Sequence, residues 1–214
     1  MWEFIDERKM QIAFNAYQHV SLVVQAVIVA GFIAVALAVV VTRVKSLEPV
    51  ANAISVVGLT IPSLALLGLL IPVVGIGVGQ AFLAVAFYAA LPILRNAVVG
   101  LKGVDQTLLE SARGIGMGEA TTLMRVRIPL AWPVILAGVR VSTQMSMGIA
   151  AIAAYGLGPG LGAYIFTGLA QVGGANALNS ALVGTVGIVL LALVLDALLL
   201  LLGRMTTSKG IRLA

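Results

Sequence analysis

Ser21 to Val41 reads SLVVQAVIVAGFIAVALAVVV, twenty-one residues without a charged side chain, and Arg43-Val44-Lys45 follows directly. A helix of this length covers the ~30 Å hydrocarbon core of a bilayer. The basic residues behind it act as a stop at the lipid–water boundary. No cleavage site of small residues follows a short apolar core, so the segment is expected to be a retained anchor and not a removed signal peptide.

The same pattern recurs along the chain. Met10 to Thr42, Pro49 to Leu94 and Val141 to Leu195 contain no Asp, Glu, Lys or Arg, giving charge-free runs of 33, 46 and 55 residues. Over all 214 residues 61% are hydrophobic and 10% charged, where soluble domains carry about 25% charged residues; a soluble enzyme is excluded. Pro72 and the glycines up to Gly79 divide the second run. The fold expected is an all-α, polytopic membrane protein with five transmembrane helices in a single domain, residues 1–214, with spans at about 21–41, 50–70, 80–99, 134–154 and 181–202. The absence of Cys and the single His, His19, leave no disulfide, metal cage or catalytic triad, and no metal site is expected. The net charge of +5 is spread over the ends of apolar segments instead of one polar face, which argues for topology and against a nucleic-acid partner.

Five spans put the termini on opposite sides. With the carboxyl end in the cytoplasm, that side collects Arg43, Lys45, Arg95, Lys102, Arg113, Arg125, Arg127, Arg140, Arg204, Lys209 and Arg212, which is 11 of the 13 Lys and Arg. The positive-inside bias thus predicts an external amino end and a cytoplasmic carboxyl end in a plasma (inner) membrane. Residues 1–18 read as an external or interfacial helix, with His19 at the interface. Tyr155 to Gly174 is rich in Gly and Pro yet carries Leu157, Leu161, Ile165 and Phe166. Irregular backbone at membrane depth must be buried in protein or face a water-filled cavity, so a gate-forming segment is expected there. Tyr155, Tyr164, Ser142, Thr143 and Ser146 are candidates to border the pathway. Asp196 lies roughly 10 Å inside the fifth span at 1.5 Å per residue, and a carboxylate there calls for a partner. Arg95 and Arg140 match it in depth, and Arg140 is also placed to snorkel to the interface.

The one long polar connection, 101–132, is expected on the cytoplasmic face. Asp105 is placed to cap a short helix over Gln106 to Arg113, ended by Gly114 and Gly116; a second helix is expected from Gly118 to Arg127, stopped by Pro129. Pro129 and Pro133 join this elbow to the fourth span through little slack chain. No Gly-x-x-x-x-Gly-Lys-Ser/Thr loop is present, so energy from ATP bound by that device has to come from a partner.

Within the elbow, Glu110, Ser111 and Ala112, then Gly116, then Val126, Ile128 and Pro129 resemble the EAA motif of permease subunits in binding-protein-dependent ABC importers. Ser111 stands where the pattern has Ala, and Val126 and Ile128 where Ile and Leu are usual. Ile61 to Pro72, Ala90 to Asn96 and Ile135 to Ser142 are similar to the osmoprotectant branch, which imports glycine betaine, choline, carnitine and similar quaternary amines. The resemblance implies the type I ABC importer permease fold, an elbow that docks on an ATPase, and a transport subunit instead of an enzyme. It also implies no cofactor in this chain, with ATP and Mg held by the ATPase. The partners implied are ATP-binding ATPase subunits, a second permease chain, identical or similar, an extracytoplasmic solute-binding protein, and the lipid bilayer. A self-contained secondary transporter or channel is the rival; it calls for inverted repeats or several intramembrane charges, and only Asp196 and Arg140 offer the latter.

Overall fold

The computed structural model describes residues 1–44 and 46–207; Lys45, Lys209 and Arg212, which the charge count uses, lie outside the described residues. Among the described residues the chain is helical throughout, without strands: α1 (Trp2–Arg43), α2 (Leu47–Thr60), α3 (Ser63–Val74), α4 (Val78–Lys102), α5 (Gln106–Gly114), α6 (Glu119–Thr122), α7 (Ile128–Ala153), α8 (Gly162–Ala170) and α9 (Ala177–Thr206). Four unbroken helical stretches are long and apolar enough to cross a membrane, and a fifth crossing exists if the bent pair α2–α3 counts as one.

α1 has 42 residues, about 63 Å at 1.5 Å per residue, and so it runs well beyond the bilayer core. Residues 1–18 prolong the span and do not form a separate helix in the membrane plane. Ala26, Ala30, Ala34 and Ala38, spaced four apart, are 0–1% exposed, a stripe of small side chains that lets helix backbones approach where lipid removes the hydrophobic drive. Their partner is the central helix α4, with Ala81, Ala84, Val85, Ala89 and Ala97 equally buried. His19 is not at an exposed interface; it is fully buried and its Nε2 lies 3.1 Å from the Met147 carbonyl of α7. A carbonyl only accepts, so Nε2 carries the proton in this contact.

α4 packs on α7 through notches. A Cβ added to Gly138 would stand 2.6 Å from Asn96 Cβ and 3.1 Å from the Pro92 carbonyl, and one on Gly100 would stand 3.1 Å from the Ala131 carbonyl. Asn96 cannot swing aside freely, because its Nδ2 donates to Pro92 O at 2.9 Å. Gly138→Val is therefore expected to overpack this contact and cost about 1–3 kcal/mol. An unchanged melting temperature of the purified variant in detergent would mean that the α4–α7 seam is slack.

The second expected span is not one helix: α2 and α3 meet at 99°. The prolyl ring of Pro62 disfavours helical backbone at Ile61, which is extended at φ −65°, ψ 124°. The carbonyl freed by the break is taken by the Tyr88 hydroxyl of α4, and Gln80 Nε2 donates to Leu67 O at 2.7 Å. At 14 and 12 residues, neither arm alone matches the ~20 residues a span needs.

Pro129 does not end the elbow's second helix. Helical backbone runs unbroken from Glu119 to Gly156, with a π-helical turn at Leu123–Arg127 and Pro129 as the second residue of α7. The π-helical turn just before it, closed by Ile128 N donating to Leu123 O, is the local widening through which a continuous helix takes in a prolyl ring and its missing N–H. The expected gate segment, 155–174, contains α8 and is packed into protein on one side only, with Leu157, Leu169 and Val172 exposed. Gly158, Gly160, Leu161, Gly162, Tyr164 and Gly168 are buried, and a Cβ on Gly168 would stand 2.5 Å from Ala177 O of α9. α9 buries only Ser180, Gly184 and Ile188; most of its length is open to lipid or to another chain.

Candidate functional site: the elbow and the membrane-embedded polar groups

The elbow is built by local hydrogen bonding. Thr107 N donates to Asp105 Oδ1 at 2.8 Å, the N-cap expected, and α5 runs one residue past the expected end, to Gly114. Its carboxyl end closes as a Schellman motif: Met117 N donates to Ala112 O at 3.0 Å and Gly116 N to Arg113 O at 2.9 Å. That motif places its C′ residue in left-handed backbone, and Gly116 has φ +84°.

Tertiary packing sorts the motif residues. Ser111, Ala112, Val126 and Pro129, together with Leu108 and Ile115, surround one shallow, mostly apolar depression of about 500 Å³. Ala112 is buried and Val126 and Ile128 are half-buried, whereas Glu110 is exposed. Leu108, Ile115 and Met124 stand 47%, 76% and 66% exposed on an otherwise polar elbow. Sequence reasoning missed these three, although apolar residues in the one polar connection are a legible sign of a partner-binding face. Among the described residues no three His, Cys, Asp or Glu side chains come together in a group that could hold a metal ion.

The polar residues in the spans divide more sharply. Arg140 Nε and Nη2 donate to Asp196 Oδ1 and Oδ2, both at 2.9 Å, the bidentate arrangement in which a guanidinium fork meets a carboxylate best. Arg95 does not take part; it is exposed and lines a groove between α2 and α4 with Glu48, Asn52 and Ser55. Ser142 and Ser146 are sealed from solvent, and Ser142 Oγ donates to Ala89 O of α4 at 2.7 Å. Thr143 Oγ1 bonds its own helix at Val139 O. Within the subunit Ser142 serves as a helix-to-helix bond and Thr143 edges an apolar groove between α1, α7 and α9. Of the two tyrosines, Tyr155 is 70% exposed and Tyr164 is buried, the latter beside a polar cleft with Arg8, Asn15 and Gln171.

Residues 13–207 match the family described as the inner membrane component of binding-protein-dependent transport systems, and the chain belongs to that family. It is thus a multi-pass inner-membrane protein of a transport system. Similar curated proteins include the choline transport system permease protein OpuBB of Bacillus subtilis (strain 168), 39% identical over 212 residues, 98% of this chain and 95% of that one. The glycine betaine/carnitine/choline permease OpuCB of the same organism is 37% identical, covering 99% and 96%. The osmoprotectant import permease OsmW of Salmonella typhimurium is 42% identical, covering 94% of each. In three dimensions the chain superposes on an inward-facing structure of the MetNI methionine ABC transporter with a TM-score of 0.74, covering 96% of this chain and 98% of that one at 20% identity. That likeness establishes the type I ABC importer permease fold.

Proposed function

We propose that this chain is the permease subunit of an ATP-driven importer for small quaternary-amine osmoprotectants such as glycine betaine, choline or carnitine. It pairs with a second permease chain, identical or similar, below an external solute-binding protein and above two ATPase subunits that hold ATP and Mg. The observation that carries the coupling role is the elbow: a capped, closed helix whose exposed Leu108 and Ile115 border, with Ser111, Ala112, Val126 and Pro129, one apolar depression. An apolar patch of this kind on a polar surface suits docking to a protein groove. Because helical backbone is continuous from Glu119 through α7, a displacement of the elbow is delivered to a membrane-crossing helix without a flexible joint. Nucleotide-driven rearrangement of the ATPases then shifts the permease pair between outward- and inward-open states, by binding the two with different affinity. The orientation that goes with this reading is a cytoplasmic elbow and carboxyl end and an external amino end, as the Lys/Arg distribution favours.

The solute class is supported by the similarity to OpuBB, OpuCB and OsmW. Aromatic residues make up 6% of the chain and the described ones form no cage for a quaternary ammonium, which is usually held over ring faces. Tight selection therefore falls to the external binding protein, and this subunit supplies a weakly binding passage. In proteoliposomes holding the complete complex, glycine betaine, choline or carnitine is expected to stimulate ATP hydrolysis and to accumulate inside, while methionine does neither. Stimulation by methionine and by none of the quaternary amines would refute the solute class; uptake that needs no ATPase subunit would refute the importer.

A further inference from the structure

Where α1 ends and the elbow begins, the fold encloses a polar cavity of about 320 Å³ that includes Thr42, Arg43, Arg113, Glu119, Thr122 and Arg127 in its lining. Three guanidiniums face one carboxylate there. Among the described residues, no carboxylate lies within 4.0 Å of Arg43, Arg113 or Arg127, and Glu119 pairs with no base. Arg43 and Arg113 are exposed at the mouth, as is Glu119. Deeper in, Thr122 is 5% exposed and its Oγ1 has no hydrogen-bond partner; Arg127 Nε is likewise buried and unpartnered, its Nη2 being held by Leu101 O at 3.0 Å.

Buried polar groups are nearly always hydrogen-bonded, and here an N–H and an O–H remain unmatched in the wall of a basic pocket, both without surface open to it as the side chains stand. A turn of the Thr122 side chain brings its hydroxyl to a compact, multidentate oxyanion held by the guanidiniums. Phosphate suits guanidinium forks, accepts several hydrogen bonds at once and is drawn by the excess of positive charge. The position is also apt. The charge-free run ends at Thr42 and Arg43 begins the polar chain, so the cavity opens at the membrane–water boundary, the level of lipid phosphates.

We propose that this cavity binds a phosphate group, carried by an anionic lipid headgroup or present as free phosphate, and that the bound group ties the end of α1 to the elbow. Arg43 and Arg113 grip it from the mouth, on α1 and α5 respectively, and Arg127 and a Thr122 side chain turned toward the cavity receive it from below. An occupied site links the end of α1 to the elbow, so occupancy sets how stiffly the elbow is mounted. Nothing in this depends on which solute is carried.

The test uses the purified full-length protein and three preparations: wild type, Arg43→Gln/Arg113→Gln and Thr122→Val. The two arginines make no side-chain hydrogen bond among the described residues, and Thr122→Val keeps the side-chain shape, so a folding failure in one leaves the other informative. Phosphatidylglycerol, phosphatidylcholine and inorganic phosphate are the probes, read by native mass spectrometry of retained adducts and by thermal shift, with chloride at equal ionic strength as control. Phosphatidylglycerol is expected to persist on the wild type over phosphatidylcholine. Its retention should fall about twenty-five-fold in the double variant, at about fivefold per arginine near an anionic surface, and should weaken in Thr122→Val. Thermal stabilisation by inorganic phosphate alone, lost in the variants, assigns the site to free phosphate; retention of phosphatidylglycerol alone assigns it to the headgroup. Binding equal in all three preparations, or no binding of either probe, overturns the proposal. It is equally overturned if the variants lose a co-purifying ATPase subunit while no anion binds.

Discussion

Asp196→Ala is expected to reduce the recovery of folded protein far more than any surface substitution, because it strands the Arg140 guanidinium in an apolar setting. The pair joins α7 to α9 by two 2.9 Å bonds, with side-chain exposures of 32% for Arg140 and 18% for Asp196. An unpaired charge at membrane depth costs about 2.5–3.5 kcal/mol on insertion scales, enough to lower the folded-to-unfolded ratio about a hundredfold. Beyond Ile188 α9 buries no residue, and its other ties there include the Trp132 Nε1 to Thr206 bond at 2.7 Å and the close approach of Gly203 to Leu136. Arg140→Leu should be nearly as harmful, since it leaves the carboxylate alone. Arg140→Leu combined with Asp196→Leu should recover most of the loss, as replacing a buried pair by apolar residues is often neutral. Monodisperse yield and melting temperature across the three variants are the measurement. A double variant as damaged as the worse single one, or transport abolished in normally assembled Asp196→Asn, would mean that the pair has a duty in turnover.

The second large effect falls on coupling. Gly116→Val places a β-branched residue at φ +84°, a left-handed conformation that costs an L-residue about 1–2 kcal/mol. No atom lies within 4 Å of where the Cβ would sit, so the penalty is in the backbone and is relieved only by opening the Schellman closure and re-aiming α5. The variant is expected to insert and to keep its helices, while solute-stimulated ATP hydrolysis and uptake fall about tenfold, the rate equivalent of that strain. Gly116→Asn is the control, because Asn visits left-handed backbone readily, and it should retain most coupling. Charge reversal at the exposed Glu110, Glu110→Lys, should uncouple in the same way without destabilising the subunit. Equal coupling in Gly116→Val and Gly116→Asn would show that the turn geometry is irrelevant to transmission.

The elbow was the most legible part of the chain. Asp105 and Gly116 announce a start and a stop through side-chain and backbone chemistry that acts within four or five residues, and the structure puts the cap and the left-handed turn at those positions. Pro129 misled for a definable reason. A proline read alone is a helix breaker, but the π-helical turn at Leu123–Arg127 shifts the hydrogen-bond register just before it and lets the helix continue through the prolyl residue. Pro62 is the converse: a proline inside an apolar segment marks a place where a helix can bend, whereas a bend of 99° depends on Tyr88, on another helix, taking up the Ile61 carbonyl.

Residence in the membrane, the number of apolar segments, the bounds of α4, α5 and α9 to within a few residues, and the motif residues on the elbow were all determined by the sequence alone, because hydrocarbon solvation, capping and turn chemistry act on short stretches of chain. Which arginine meets Asp196, that Ser142 and Ser146 lie sealed between helices, that residues 1–18 extend α1, and that Arg43, Arg113, Thr122 and Arg127 converge on one cavity were decided only by tertiary structure. These depend on how each helix is rotated about its axis. In a soluble protein the contrast of polar and apolar faces reveals that rotation, but in lipid both faces of a helix are apolar and the signal vanishes. The rotation is set instead by steric fit between small residues on different helices, such as the Ala26 to Ala38 stripe against α4 and Gly138 against Asn96.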